Sequence, residues 1–140
     1  MGTQQILLIV LSVIIVGVAV AVGIQMFNTQ AMNSNRQAVI GDLQTLGAQI
    51  MQYHRTPASQ GGGGNLATAY AIADVQAFLG WSSATNTSDT GTFTLTAPAA
   101  GVITITGVGT ETGNDGTAKV TAVLTVTLAN AAPLATAISN

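Results

Sequence analysis

Residues 6–24, ILLIVLSVIIVGVAVAVGI, constrain this chain more than any other stretch. Fourteen of these nineteen residues are Leu, Ile or Val, interrupted only by Ser12, two glycines and two alanines. Each such residue favours a bilayer by roughly 0.3 to 0.6 kcal/mol at a helix centre, so insertion is favoured by several kcal/mol. The run has about the 20 residues that a spanning helix needs. No charged side chain occurs before Arg36. Spanning helices usually carry basic residues at the cytoplasmic flank. Secretory signal peptides have a positively charged start and a small-residue cleavage site. This segment has neither, and its N-terminal positive charge is the α-amino group of Met1. The run reads as a transmembrane-competent helix.

Gly17 and Gly23 bracket the β-branched stretch 18–22, VAVAV, a poor intrinsic helix former. Lipid holds such a segment helical because unsatisfied backbone is costly there. In another packing environment, Gly17 and Gly23 mark where the helix is expected to loosen.

No turn follows the apolar run. Val39, Leu43, Leu46, Ile50 and Tyr53 recur at spacings of three and four, with Ile40, Gly47 and Met51 alongside and polar residues between. That is one buried stripe on a helix. The first proline is Pro57, and the residue before a proline is biased away from helix. The spacing predicts one helix from about residue 2 to about residue 54, on the order of 80 Å long. Such a helix is too long for a lone small globule, so its first half requires lipid or copies of itself. Residues 1–27 are the apolar half and 28–54 the amphipathic continuation.

Residues 55–91 form a loop region. Pro57 and the glycines 61–64 read as a flexible surface loop. Residues 67–81, ATAYAIADVQAFLGW, read as a short helix or a packed irregular segment, and 82–91 as a polar loop. Residues 92–140 read as an antiparallel sheet with a tail apolar enough to pack. Residues 92–96, 102–106 and 118–128 alternate with period two, turning Phe93, Leu95, Ile103, Ile105, Val120, Ala122, Leu124, Val126 and Leu128 inward. GNDG at 113–116 is hairpin chemistry. The fold class is α+β: a long N-terminal helix packed on a small antiparallel sheet of about three strands, the helix covering the sheet's apolar face.

Charged residues are 6% of the chain, and Arg36, Arg55 and Lys119 are its only Lys and Arg side chains. No basic patch exists to neutralise a phosphate backbone, so nucleic-acid binding by the monomer is not expected. With no cysteine and one histidine, neither a thiolate metal site nor a nucleophile–base pair assembles readily. The expectation is a chain with no catalytic, metal or cofactor site, hence not an enzyme. The four glycines lack the Lys-Ser/Thr of a phosphate loop, and the glycines of 107–113 read as turn glycines beside a strand. His54 sits with Arg55 at the expected helix end, where the helix dipole favours cations. Asp42 is expected to pair with Arg36 or a neighbouring chain. Asn86 opens an Asn-Thr-Ser sequon in the polar loop, a possible glycosylation site. Phe27 and Tyr53 are roughly 39 Å apart by helix rise, so the helix alone carries no stacked aromatic path.

An apolar-then-amphipathic helix followed by a variable loop and an antiparallel sheet resembles the type IV pilin family, most specifically in residues 1–54. QYHRTPASQGGGG at 52–64 also resembles a segment of small, cysteine-free bacterial pilins. The resemblance implies a mature chain starting at a prepilin-peptidase cut, with Met1 as the processed, N-methylated residue. It implies a filament core built from Ile6, Leu7, Leu8, Ile9, Val10, Leu11, Ile14, Ile15, Val18, Val22, Ile24 and Phe27. Most major pilins carry a glutamate at the fifth position, thought to pair with a neighbour's terminal amine; this chain has Gln5. Gln5 avoids an unpaired buried carboxylate and still accepts a hydrogen bond, but gives up the charge pairing. Minor pilins, secretion pseudopilins and archaeal-type pilins therefore stay open.

The expected function is a structural subunit polymerising into an extracellular type IV pilus-like filament, lodged in the inner membrane before assembly. Its partners would be other copies, the membrane, the pilus assembly machinery and the prepilin peptidase. Adhesion, motility and DNA uptake are implied by the family alone. The alternative is a single-pass, membrane-anchored binding module.

Overall fold

The computed structural model describes residues 2–66, 70–128 and 134–139. Met1, the expected processing and methylation position, lies outside the described residues, as do parts of the 67–81 segment and of the tail. The first element, α1 (Gly2–Arg55), is one unbroken α-helix of 54 residues, continuous through Gly17 and Gly23. A 3-10 turn (Ala58–Gln60) and a short helix, α2 (Ile72–Leu79), lead into the sheet. Its strands are β1 (Thr85–Thr87), β2 (Gly91–Ala99), β3 (Val102–Thr112), β4 (Lys119–Thr127) and β5 (Leu134–Ser139). They form an antiparallel meander in chain order.

The α+β plan stands, but the sheet has five strands rather than about three. β1 lies where a polar loop was expected, and β5 comes from the tail. Both are rim strands, with 85–87 and 135–139 exposed, so neither shows the half-buried alternation by which sequence reveals a strand. The three central strands follow the expected pattern. Phe93, Leu95, Ile103, Ile105, Val120, Ala122, Leu124, Val126 and Leu128 are all buried.

The second half of α1 covers that apolar face. Val39, Leu43, Ile50 and Tyr53 join the core cluster, with Val75 of α2 closing one side. Gly47, expected alongside the stripe, is buried and Leu46 half-buried, while His54 is buried in addition. Gly107 and Gly109 are not turn residues as the sequence reading had them; they lie inside β3 and face α1. A Cβ on Gly107 would meet Phe93 and the Val39 Cγ1 at 2.9 Å, and one on Gly109 would run into the Asn35 side chain. Small residues here let the helix settle close to the strand. The hairpin between β3 and β4 behaves as expected. Asp115 Oδ1 accepts from the amides of Thr117 and Ala118 at 3.0 Å each, and Gly116 takes the left-handed backbone at φ 70°.

Leu43→Ala should destabilise the fold by about 2–5 kcal/mol, the usual cost of a buried leucine cavity. Gly107→Val should also destabilise it, by overpacking beneath Val39. Chemical denaturation of the detergent-solubilised chain, followed by circular dichroism, checks both.

Candidate assembly surface

Every large apolar side chain from Ile6 to Phe27 is exposed, by between 49% and 77%. Sixteen such side chains stand along this half of α1, and Gln5 is exposed beside them. All twelve expected core positions, Ile6 to Leu11, Ile14, Ile15, Val18, Val22, Ile24 and Phe27, are among these side chains. Leaving that many Leu, Ile and Val side chains half in water forgoes on the order of 10–20 kcal/mol. Soluble monomers rarely expose a contiguous apolar patch of more than a few hundred Å². The segment is long and apolar enough to cross a membrane.

The hydroxyls within it and just beyond it are satisfied by the helix itself. The Ser12 hydroxyl donates to Leu8 O at 2.8 Å, and that of Thr29 to Gln25 O at 2.9 Å, each one turn back. Ser12 therefore brings no unmet hydroxyl to an apolar surrounding. Gly17 and Gly23 face open space, since a Cβ added at either meets nothing within 4 Å. The lone chain thus gives these glycines no internal packing role.

Asn35 marks where the helix leaves the sheet. Its Nδ2 donates to Thr90 O at 2.9 Å and to Thr110 Oγ1 at 3.2 Å, while its Oδ1 accepts from the Glu111 amide at 3.4 Å. One side chain thereby ties α1 to the ends of β2 and β3. Two turns onward, the Thr90 hydroxyl donates to Asp42 Oδ2. Within the chain, Asp42 is held by Thr90 rather than by Arg36. Arg36 is half-buried, and its Nε has no acceptor among the described residues.

At the other end of α1, the glycine run is an ordered cap rather than a flexible loop. The amides of Gly63, Gly64 and Asn65 donate to the carbonyls of Tyr53, Thr56 and His54 at 2.8, 2.9 and 2.8 Å. These bonds satisfy carbonyls that a helix end leaves open. Gly63 lies so close to the Tyr70 ring that a Cβ would overlap it. His54, 6% exposed, is buried rather than presented at an open helix end. Its Nδ1 lies 2.6 Å from Tyr70 Oη, and the Tyr70 hydroxyl donates to Gly63 O at 3.2 Å. The His54–Tyr70 contact is one short hydrogen bond, its donor set by the imidazole tautomer. Tyr53 packs edge-on against both Tyr70 and Phe78, at centroid distances of 5.3 Å. No spacing in the sequence links His54 to Tyr70, because 15 residues lie between them.

Among the described residues, no three His, Cys, Asp or Glu side chains come together as metal ligands. A cavity of about 260 Å³ beside Tyr70, Gly101 and Leu128 is lined otherwise by Ala, Val and Ile. Asn86, placed by the sequence in a loop, sits exposed in β1 opposite Phe93 of β2. The unusual chemistry of this chain is therefore its uncovered apolar half-helix. No family model, curated protein or solved structure matches the chain.

Burial pushes the Tyr53 phenol above the usual tyrosine range, and Asp74 and Tyr70 push the same way. Burial also raises Tyr70, against a backbone hydrogen bond at Leu66 that lowers it. The folded state thus holds both protons more tightly than the unfolded chain. The resulting stability is complete below about pH 10 and is lost as pH rises through the folded-state values. Absorbance titration should show two tyrosines ionising late, with unfolding setting in above about pH 10. Tyr70→Phe should cost about 1–3 kcal/mol, because it strips the partner from buried His54. Denaturant unfolding at neutral pH reads that loss.

Proposed function

We infer that this chain is a structural subunit that polymerises through the apolar half of α1 into an extracellular filament of the type IV pilus kind. The observation that carries the reading is the run of sixteen exposed apolar side chains on a helix whose other half is fixed to the sheet. In the filament, the apolar halves of many copies bundle into a dry core and the sheets form the outer surface. Before assembly the same segment resides in the inner membrane. Leaving it forfeits lipid contacts, and helix–helix packing restores them. The open glycines Gly17 and Gly23, with Ala19 and Ala21, permit close helix approach, as small residues do in membrane bundles. If the stretch loosens on assembly, these glycines are where it does so.

Gln5 stands where the family's glutamate would be and offers a neighbour's terminal amine a hydrogen bond without charge pairing. The assembly machinery and the prepilin peptidase enter through the resemblance, as do methylation at Met1 and roles in adhesion, motility or DNA uptake. A minor pilin or pseudopilin would use the same contacts. No reacting group enters this account, and the chain is read as a non-enzyme that takes no cofactor. A second reading, a single-pass anchor presenting the sheet to a ligand, is favoured by the length of the run. About 20 helical residues match the roughly 30 Å of a bilayer's apolar core.

Cryo-electron microscopy of the assembled protein should show helical symmetry with residues 2–27 enclosed by other copies. A stable, monodisperse monomer of the full chain in detergent-free buffer would overturn the filament. Val16→Glu or Val20→Glu should block membrane insertion and polymerisation alike. Gly23→Leu should harm polymerisation while leaving insertion intact; the lone anchor requires it to leave both unchanged.

A further inference from the structure

The two rims of the sheet are finished differently. At β1, the Leu95 amide donates to Ala84 O at 2.8 Å, beside the pairing of Asn86 with Phe93. Antiparallel ladders alternate bonded and non-bonded pairs, so the Asn86 backbone faces β2 and the Thr85 backbone faces outward. The Ser83 hydroxyl closes that position. It donates to Thr85 O at 2.7 Å and accepts from the Thr85 amide at 3.3 Å. A strand of three residues, capped by its own chain, is a blunted edge.

β5 has no such finish. The Leu128 amide donates to Gly101 O at 2.9 Å, next to the pairing of Val102 with Thr127. Carried across β4 with the same alternation, this turns the backbones of Thr121, Val123 and Thr125 toward β5. Ala135, Ala137 and Ser139 then bond β4, and Leu134, Thr136 and Ile138 direct their N–H and C=O groups outward. The strand LATAIS contains no charge and no proline, and its register on β4 is unshifted. Residues 135–139 are all exposed, Ile138 by 48%. Among the described residues, none supplies the charge, bulge, proline or covering segment that usually protects a free edge.

We propose that β5 docks β5 of a second copy, antiparallel about a two-fold axis at Thr136, joining two five-stranded sheets into one of ten. A row of free backbone donors and acceptors recognises an extended strand. The β1 rim of another copy is closed at Thr85 by Ser83 and offers only Thr87 besides, too short a ladder for the three outward pairs of β5, which leaves β5 itself. Leu-Ala-Thr-Ala-Ile is symmetric in residue size about Thr136, as a self-complementary two-fold contact requires. In that register, Thr136 faces Thr136 of the second copy and Leu134 faces Ile138. All three pairs have their backbone groups turned to the partner, and no like charges meet. Because β3 runs down α1, from Gly107 beside Val39 to Glu111 beside Asn35, and β5 is parallel to β3, the paired copies have oppositely directed helices. A two-fold contact does not repeat within a polar filament. It joins copies on two filaments laid antiparallel, and the pairing itself does not rest on the filament reading.

The chain has no cysteine, so Thr136→Cys places a single thiol on the axis. Bonded antiparallel pairs hold their Cα atoms about 5.5 Å apart, within disulfide range. With mild oxidant and the full chain in detergent micelles, Thr136→Cys should form covalent dimer at least ten-fold faster than Thr87→Cys on the other rim. Adding Ile138→Pro removes an outward N–H but no bond to β4. It should cut that rate at least ten-fold with an unchanged circular dichroism spectrum. Ile138→Lys, which keeps every backbone group, should do the same and serves if the proline variant does not fold. Equal rates at the two rims, or a rate insensitive to both Ile138 changes, would overturn the pairing.

Discussion

Among the described residues, one half of α1 has nothing to pack against, and the hydrophobic effect makes that arrangement costly in water. The sixteen exposed side chains from Ile6 to Phe27 cannot reach the sheet, because Asn35 and the residues after it already occupy the apolar face. A rigid helix cannot fold back on itself, and no break occurs between Gly2 and Arg55. The surface must therefore be covered from outside the chain, by lipid or by protein. The proposed filament and the proposed anchor both answer this single demand, and they differ in whether the covering surface is another copy.

The packed half supplies the rigidity that makes the exposed half usable. Gly107 and Gly109 bring β3 close to the helix, Asn35 and Asp42 bind it to the strand ends, and the glycine amides cap its last carbonyls. The orientation of the sheet relative to the apolar half is thus set at both ends of the interface. In a polymer, that fixed angle would carry the arrangement of the helix core outward to the arrangement of the sheets. In such a polymer the β5 rim would lie in this outer layer, apart from the helix core.

Much of this architecture was legible before folding. The helix ends within a residue of the expected position, since the 3.6-residue stripe runs unbroken until Pro57. The inward residues of β2, β3 and β4 follow directly from period-two alternation, because one face of each is buried and the other is not. β1 and β5 escaped because rim strands with exposed side chains carry no such contrast. The glycines at 61–64 and at 107 and 109 were misjudged for a related reason. Glycine reads as freedom in a sequence, whereas here Gly62, Gly63, Gly107 and Gly109 mark places where a carbonyl, a ring or a helix comes too near for any side chain, and Gly61 and Gly64 take a left-handed backbone.

By itself the sequence determined the helix, its division into an oily and a two-faced half, and the inward set of the central strands. These depend on residue type and short-range spacing, which a linear string preserves. Tertiary structure alone decided that Asn35 marks the departure of the helix from the sheet. It also decided that His54 is buried against Tyr70, and that one rim is closed by Ser83 while the other stays open. Those outcomes depend on which residues distant in the chain meet in space and on which way each backbone group turns, and both are consequences of register.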